Sequence, residues 1–274
     1  IMCDDGTEHT IESEYVQEPA LVKAREIVRP LVSASDLEYR LVILDEEATA
    51  KPHAARYIRW GEVQGFHRRP TTRSRRPWYV IKRQETAHVA IPIGHKRRPV
   101  VAVLDDVSVS DNLVQVACQD SSWANVIAGS VLSTWSMLLF EVTGRANFGQ
   151  GLLKTQTYEI ADLPVLDPRS LSEDDRARFE ACFESMSKRP FLMIYDGVRL
   201  ADRDALDSTF LQAIGITDAA QRKGILEELQ QEVCKTIWNR MAKSATSREA
   251  RMTYAEWLAT EQPFDSQAGE DDET

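Results

Sequence analysis

The chain has no long apolar run, no paired cysteines and none of the common nucleotide-binding or catalytic signatures. Each absence removes a class of function. No stretch of about 18 apolar residues occurs. The longest, Trp135 to Val142, is interrupted by Ser136 and Glu141, so no membrane-spanning helix is expected. The N-terminus, IMCDDGTEHT, lacks a basic segment ahead of an apolar one and does not read as a signal peptide. Ile1 ahead of Met2 reads as a chain trimmed from a longer one. The cysteines (Cys3, Cys118, Cys182, Cys234) lie far apart with no CxxC and no Cys/His ligand spacing. That usage points to reduced thiols in a cytoplasmic protein and away from a structural zinc. GxGxxG and GxxxxGK[ST] are absent, so neither a dinucleotide site nor a P-loop is legible. GxSxG, HExxH and the deaminase pattern HxE with PCxxC are absent as well. The acid pairs Asp105/Asp106 and Asp174/Asp175 are adjacent in sequence, which does not suit a two-carboxylate hydrolase. Strand neighbours point to opposite faces, and acids at a helix start serve its dipole. No catalytic residue and no metal ligand is assigned.

What the sequence does have is sharply segregated charge. The chain carries a net −10, yet residues 51–100 hold thirteen Lys or Arg against two acids, Glu62 and Glu85. The segment from Arg56 to Arg83 reads RYIRWGEVQGFHRRPTTRSRRPWYVIKR. A surface shaped only for solubility intersperses its signs. A block of one sign suits a polyanion, because each cation set against a phosphate releases a condensed counterion. His53, His67, His88 and His95 fall in the same block and read as added weak donors on a phosphate-facing surface. The negative remainder discourages non-specific adhesion and orients the basic face.

The expected fold class is α+β: a strand-rich recognition domain with a long central helix, followed by a helical subdomain. Short β-branched runs at Tyr39–Leu44, Trp78–Lys82, His88–Ile93, Pro99–Leu104 and Leu113–Cys118 predict strands. Ser121 or Ser122 caps a helix carrying Trp123, Ile127, Val131, Trp135 and Leu138 on one face, which Gly144 ends. Ser172 precedes a helix with Phe179, Phe183 and Met186 on one side. Another helix runs from about Asp204 to Ile214 and stops at Gly215. The last begins at Asp218, with Gln221 in capping-box position and a stripe of Ile225, Leu229, Val233, Ile237 and Met241. The expected domains are 1–168 for recognition and 169–260 for the helical part. Residues 261–274 read as an acidic disordered tail.

The order of several segments resembles the C-terminal region of adenine-N6 DNA methyltransferases of type II and IIG-like restriction–modification systems. The segments are IESEYVQEPALVKAREI at 11–27, DLEYRLVILDEE at 36–47, the basic block at 55–83, and SVSDNLVQV at 108–116. They continue with GRANFGQGLLKTQTYEIADLPVLDP at 144–168 and the helical close at 202–244. In that family an N/D-PP-Y/F methylase domain binds S-adenosylmethionine and methylates a flipped-out adenine. A downstream target recognition domain grips the duplex. All prolines here are isolated, so the methylase motif is missing and only the downstream part is matched. The resemblance implies double-stranded DNA as one partner and a methylase domain or subunit as another. No cofactor is expected in this chain, and S-adenosylmethionine belongs to the catalytic part.

A duplex-reading domain needs phosphate contacts that fix register and base-edge contacts that carry sequence. Arg68, Arg69, Arg73, Arg75 and Arg76 lie within nine residues, and Pro70 and Pro77 favour an extended or turning backbone around them. They and Arg59, Lys82 and Arg83 are candidate DNA contacts, with Lys154 beyond the Gly149–Gly151 turn. Arg59, Arg97 and Arg98 read equally as phosphate ligands or as solvated arginines. Trp78 and Tyr79 either pack beneath the basic surface or stack on an extruded base. Asn112 either bonds adenine N6 and N7 or stabilises a turn after Asp111. Two other readings stay open: a protein-interaction subunit docking an acidic partner, and an RNA-binding domain.

Overall fold

A computed structural model of the chain describes residues 1–3, 6–81, 86–146, 151–244 and 253–259. The expected tail at 261–274 lies outside these residues. The principal strands are β1 (Val16–Leu21), β2 (Leu31–Ser33), β3 (Arg40–Val42), β4 (Val89–Pro92), β5 (Ala102–Asp105) and β6 (Leu113–Val116). The principal helices are α1 (Pro52–Val63), α2 (Ala124–Leu132), α3 (Thr134–Thr143), α4 (Glu173–Ser187), α5 (Ala201–Ala213) and α6 (Ala219–Ser244). The fold is α+β. Two compact units form from interleaved segments: Ile1–Leu21, Ala34–Thr86 and Asp106–Ser108 in one, and Val22–Ser33, Ala87–Asp105 and Val109–Thr274 in the other. The chain therefore does not divide at residue 168. Helices on both sides of that point share a core, because Phe179 of α4 packs directly over Gly129 of α2.

In the first unit β1 and β3 pair antiparallel, Val16 opposite Val42 and Pro19 opposite Arg40. A short helical turn at Glu46–Ala50 leads into α1, with Pro52 in its first turn, where the missing N–H costs nothing. Ala54, Ile58 and Gly61 are the buried face of α1, and they meet Tyr15, Leu44 and Ala48. The sequence reading held no helix here, since only this sparse i, i+4, i+7 pattern marks it. The cap comes from far away in the chain. Glu12 accepts from the backbone N–H of His53 at 3.0 Å and of Ala54 at 2.9 Å. Burial works to raise the Glu12 carboxyl, but these backbone donors outweigh it and hold it below the ordinary carboxylate value. The strand expected at Trp78–Lys82 is not formed over its described residues. Only Val80 makes a single parallel bridge, to Leu44.

In the second unit the sheet order is β2-β5-β4-β6, with β2 parallel to β5 and the other pairs antiparallel. The expected long central helix is two helices, α2 and α3, bent by 58° at Ser133. Ser133 is extended (φ −56°, ψ 148°), and its hydroxyl donates to the Ser130 carbonyl at 2.7 Å. The same oxygen accepts from Ser136 N–H at 3.2 Å, which caps α3. The hydroxyls competing for backbone partners end one helix and start the next. No single helix among the described residues is long and apolar enough to cross a membrane.

The C-terminal helices follow the sequence reading. Ser172 caps α4 through Asp175 N–H, and Asp218 caps α6 through Gln221 N–H at 2.7 Å. A buried charge cluster ties α6 to α3. Arg240 donates to both oxygens of Glu141 at 2.8 Å and to the Lys96 carbonyl at 2.7 Å, and it also reaches the Gly151 carbonyl. His95 Nε2 lies 3.2 Å from the same carboxylate. Burial works to raise the Glu141 carboxyl, but His95 and Arg240 outweigh it and hold it below 4.5. A depressed folded value means that the stabilisation is complete above the unfolded pKa and is lost as pH falls through the folded one. The urea midpoint is therefore expected to drop as pH is lowered below about 4.5. Glu141→Gln should be less stable than the parent at pH 7 and should show a flatter acid limb.

Candidate nucleic-acid interface

Six of the arginines singled out in the sequence, Arg59, Arg68, Arg69, Arg73, Arg75 and Arg76, lie in the first unit, as do Trp78 and Tyr79. Arg59 and Arg56 sit on the exposed side of α1, three residues apart and so on one face. After α1 the chain reverses at Gly65, whose φ of 77° is left-handed and suits glycine. A tight excursion follows. Thr72 Oγ1 donates to the Phe66 carbonyl and, at 3.3 Å, to that of Arg69. The N–H groups of Thr72 and Arg73 return to the same Arg69 carbonyl at 3.0 and 2.9 Å. Arg76 closes the excursion on the carbonyls of Arg73 and Arg75, at 2.9 and 3.1 Å.

The excursion is anchored by Trp78, which packs against the first unit's core together with Tyr79. Gly61 is required for this approach. A Cβ there would stand 2.6 Å from the Trp78 ring, closer than carbon atoms tolerate. Gly61→Val should force the tryptophan out and loosen the loop. A blue-shifted tryptophan emission that stays unchanged in this variant would count against the anchoring.

All five loop arginines, Arg68, Arg69, Arg73, Arg75 and Arg76, are exposed. Ion pairs among the described residues employ Arg145, Arg169, Arg178, Arg189, Arg203 and Arg240 instead. None of the loop guanidiniums pairs with a carboxylate among the described residues. Their other contacts are local: Arg69 lies 4.1 Å over the Phe66 ring, and Arg68 Nε donates to His67 Nε2 at 3.1 Å. Guanidiniums concentrated on one short excursion create a positive potential that attracts anions.

Beneath the excursion lies a cavity of about 150 Å³, which the sequence reading missed. Tyr57, Trp60, Phe66, Trp78 and Tyr79 form its aromatic wall, and Thr72 and Arg75 contribute polar groups. Tyr57 and Trp60 stack at 5.4 Å, and Phe66 meets Trp60 edge-on at 5.3 Å. Burial raises the Tyr57 hydroxyl above its ordinary value, with a smaller contribution from Cys3.

The remaining candidates fall elsewhere. Asn112 and Lys154 belong to the second unit, so the sequence grouping is split between the two. Asn112 sits exposed in the turn before β6, where its N–H meets Ser110 Oγ at 3.3 Å. Lys154 lies in a two-residue strand paired with Gly94. Lys82 and Arg83 lie outside the described residues. Two histidines expected on the basic surface do internal work: His88 Nδ1 accepts from Cys118 N–H at 2.9 Å, and His95 holds Glu141. The second unit has its own small basic recess of about 60 Å³ lined by Arg25, His95, Lys96 and Arg98. No group of three metal-ligating side chains occurs among the described residues.

The family model of the type II methyltransferase M.Eco57I C-terminal domain matches residues 29–200, more than half of the chain. Among solved structures, the type IIG restriction endonuclease BpuSI is similar in fold, with a TM-score of 0.59 at 14% identity. That match covers 86% of this chain and 27% of the endonuclease, so the chain corresponds to about a quarter of that protein. No curated protein matches in sequence.

Proposed function

The chain belongs to the M.Eco57I C-terminal-domain family of type II methyltransferases, and from this we propose that it is a double-stranded DNA recognition module. The parent activity is site-specific adenine-N6 methylation in a restriction–modification system. Methyl transfer from S-adenosylmethionine takes place on a domain or subunit outside this chain. The observation that carries the reading is the set of five exposed loop guanidiniums with no carboxylate partner among the described residues. Phosphate contacts of this kind set register, and one or two arginines can add bidentate contacts to guanine O6 and N7. The fold likeness to a type IIG restriction endonuclease is consistent with DNA as the partner.

The test is duplex binding across a salt series with Arg75→Ala/Arg76→Ala as the control. Each phosphate contact contributes about 0.9 to the slope of log K against log salt, so the double variant should be shallower by about 1.8. A double variant that binds as the parent does at every salt concentration would remove the loop from the interface. A parent with no duplex affinity, but tight pairing with an acidic protein, would favour an interaction subunit instead.

A further inference from the structure

Resting on that DNA-binding reading, we infer that the aromatic cavity of the first unit receives one nucleobase swung out of its stack, with the backbone phosphates beside it held by the loop arginines. The size of the cavity sets the ligand. A cavity of about 150 Å³ lined by apolar side chains holds a benzene-sized ring, and this one measures about 150 Å³. A six-membered base ring fits inside, a purine leaves its second ring toward the exposed mouth, and sugar and phosphate stay outside. The wall chemistry agrees. Trp60, Tyr57 and Trp78 line it, and contact with aromatic side chains is how proteins hold unstacked bases of any sequence.

One polar feature separates this cavity from a packing defect, and it is the mouth. Arg75 and Ile81 both line the cavity and are exposed, which puts a guanidinium where a backbone phosphate would lie when its base is inside. The same short loop thus supplies the ring-binding wall through Phe66 and the charge through Arg75. This accounts for the aromatic residues interleaved with the arginines.

The experiment compares the full chain on a fully paired duplex and on the same duplex with a single unpaired 2-aminopurine. Extrusion then costs little, and a cavity for a base should make the second duplex bind about tenfold tighter or more. The 2-aminopurine fluorescence should be quenched on binding, beyond its level in the free duplex, as the base stacks on tryptophan. Val42→Phe narrows the cavity from within and should abolish both the preference and the quenching while keeping affinity for the paired duplex. Should Val42→Phe fail to fold, the quenching in the parent still decides. Equal, salt-dependent affinity for both duplexes without quenching overturns this inference and leaves DNA recognition standing. Absence of binding to either duplex overturns both.

Discussion

Replacing Arg68, Arg69, Arg73, Arg75 and Arg76 together by glutamine is expected to abolish most duplex affinity near physiological salt. Five phosphate-directed cations give log K a slope of about −4.5 against log salt. The parent should therefore weaken by about 500-fold between roughly 50 and 200 mM. The glutamine variant retains hydrogen-bonding groups but no charge, so the salt slope should become shallower by about 4.5. Folding should be little affected, because all five side chains are exposed and none belongs to the first unit's core. The contacts at risk are the Arg69 stack on Phe66 and the Arg76 bonds to its own loop. A thermal midpoint measured alongside fluorescence anisotropy separates a misfolded loop from a neutralised one. Unchanged anisotropy titrations at both salt concentrations would mean that the guanidiniums face something other than phosphates.

The sequence made the charge visible but not its setting. A run of arginines is legible because charge needs no folding to be counted. Whether the guanidiniums are neutralised depends on where distant carboxylates fold, and none among the described residues forms an ion pair with the loop. The helices of the second unit were legible because α4 and α6 carry caps at Ser172 and Asp218 and long apolar stripes. The first unit was less so. Its helix α1 is capped by Glu12, about forty residues upstream, which no local pattern reveals. The break at Ser133 was written in the cluster Ser130, Ser133, Thr134 and Ser136, but the apolar periodicity runs through it and masks the stop. The cavity was illegible for another reason. Its walls come from β3, α1 and the loop, so Val42, Tyr57 and Trp78 meet only in three dimensions. The interleaving of the two units likewise escapes a linear reading, which assigned Asn112 and Lys154 to the same surface as the arginines.

A second large effect is expected at Asp207, in the core of the second unit. Its carboxylate is the acceptor for the start of α3: Thr134 N–H donates to it at 2.7 Å and the Thr134 hydroxyl at 2.6 Å. Arg203, one turn earlier on α5, lies with Nε 3.5 Å from the same carboxylate and also reaches the Leu132 carbonyl. Burial pushes the Asp207 carboxyl up and the Arg203 guanidinium down, each toward neutrality, and each is opposed by the other's charge. Asp207→Ala removes the acceptor for Thr134 at the start of α3 and leaves a guanidinium buried without its counter-charge. Breaking such a pair from one side costs about 3–5 kcal/mol. Adding Arg203→Met removes the stranded charge, so the double variant should recover part of that loss, with a coupling of at least about 0.5 kcal/mol between the two sites. Urea unfolding by circular dichroism measures both. Asp207→Ala within about 1 kcal/mol of the parent would show the cluster relaxing into solvent, since ion pairs with that freedom contribute about 0–1 kcal/mol. Because α3 also carries Glu141, the loss should extend to the Arg240 contact that holds α6. The acid sensitivity set by Glu141 should therefore weaken in the same variant, as only an intact α3 keeps that carboxyl beside its partners.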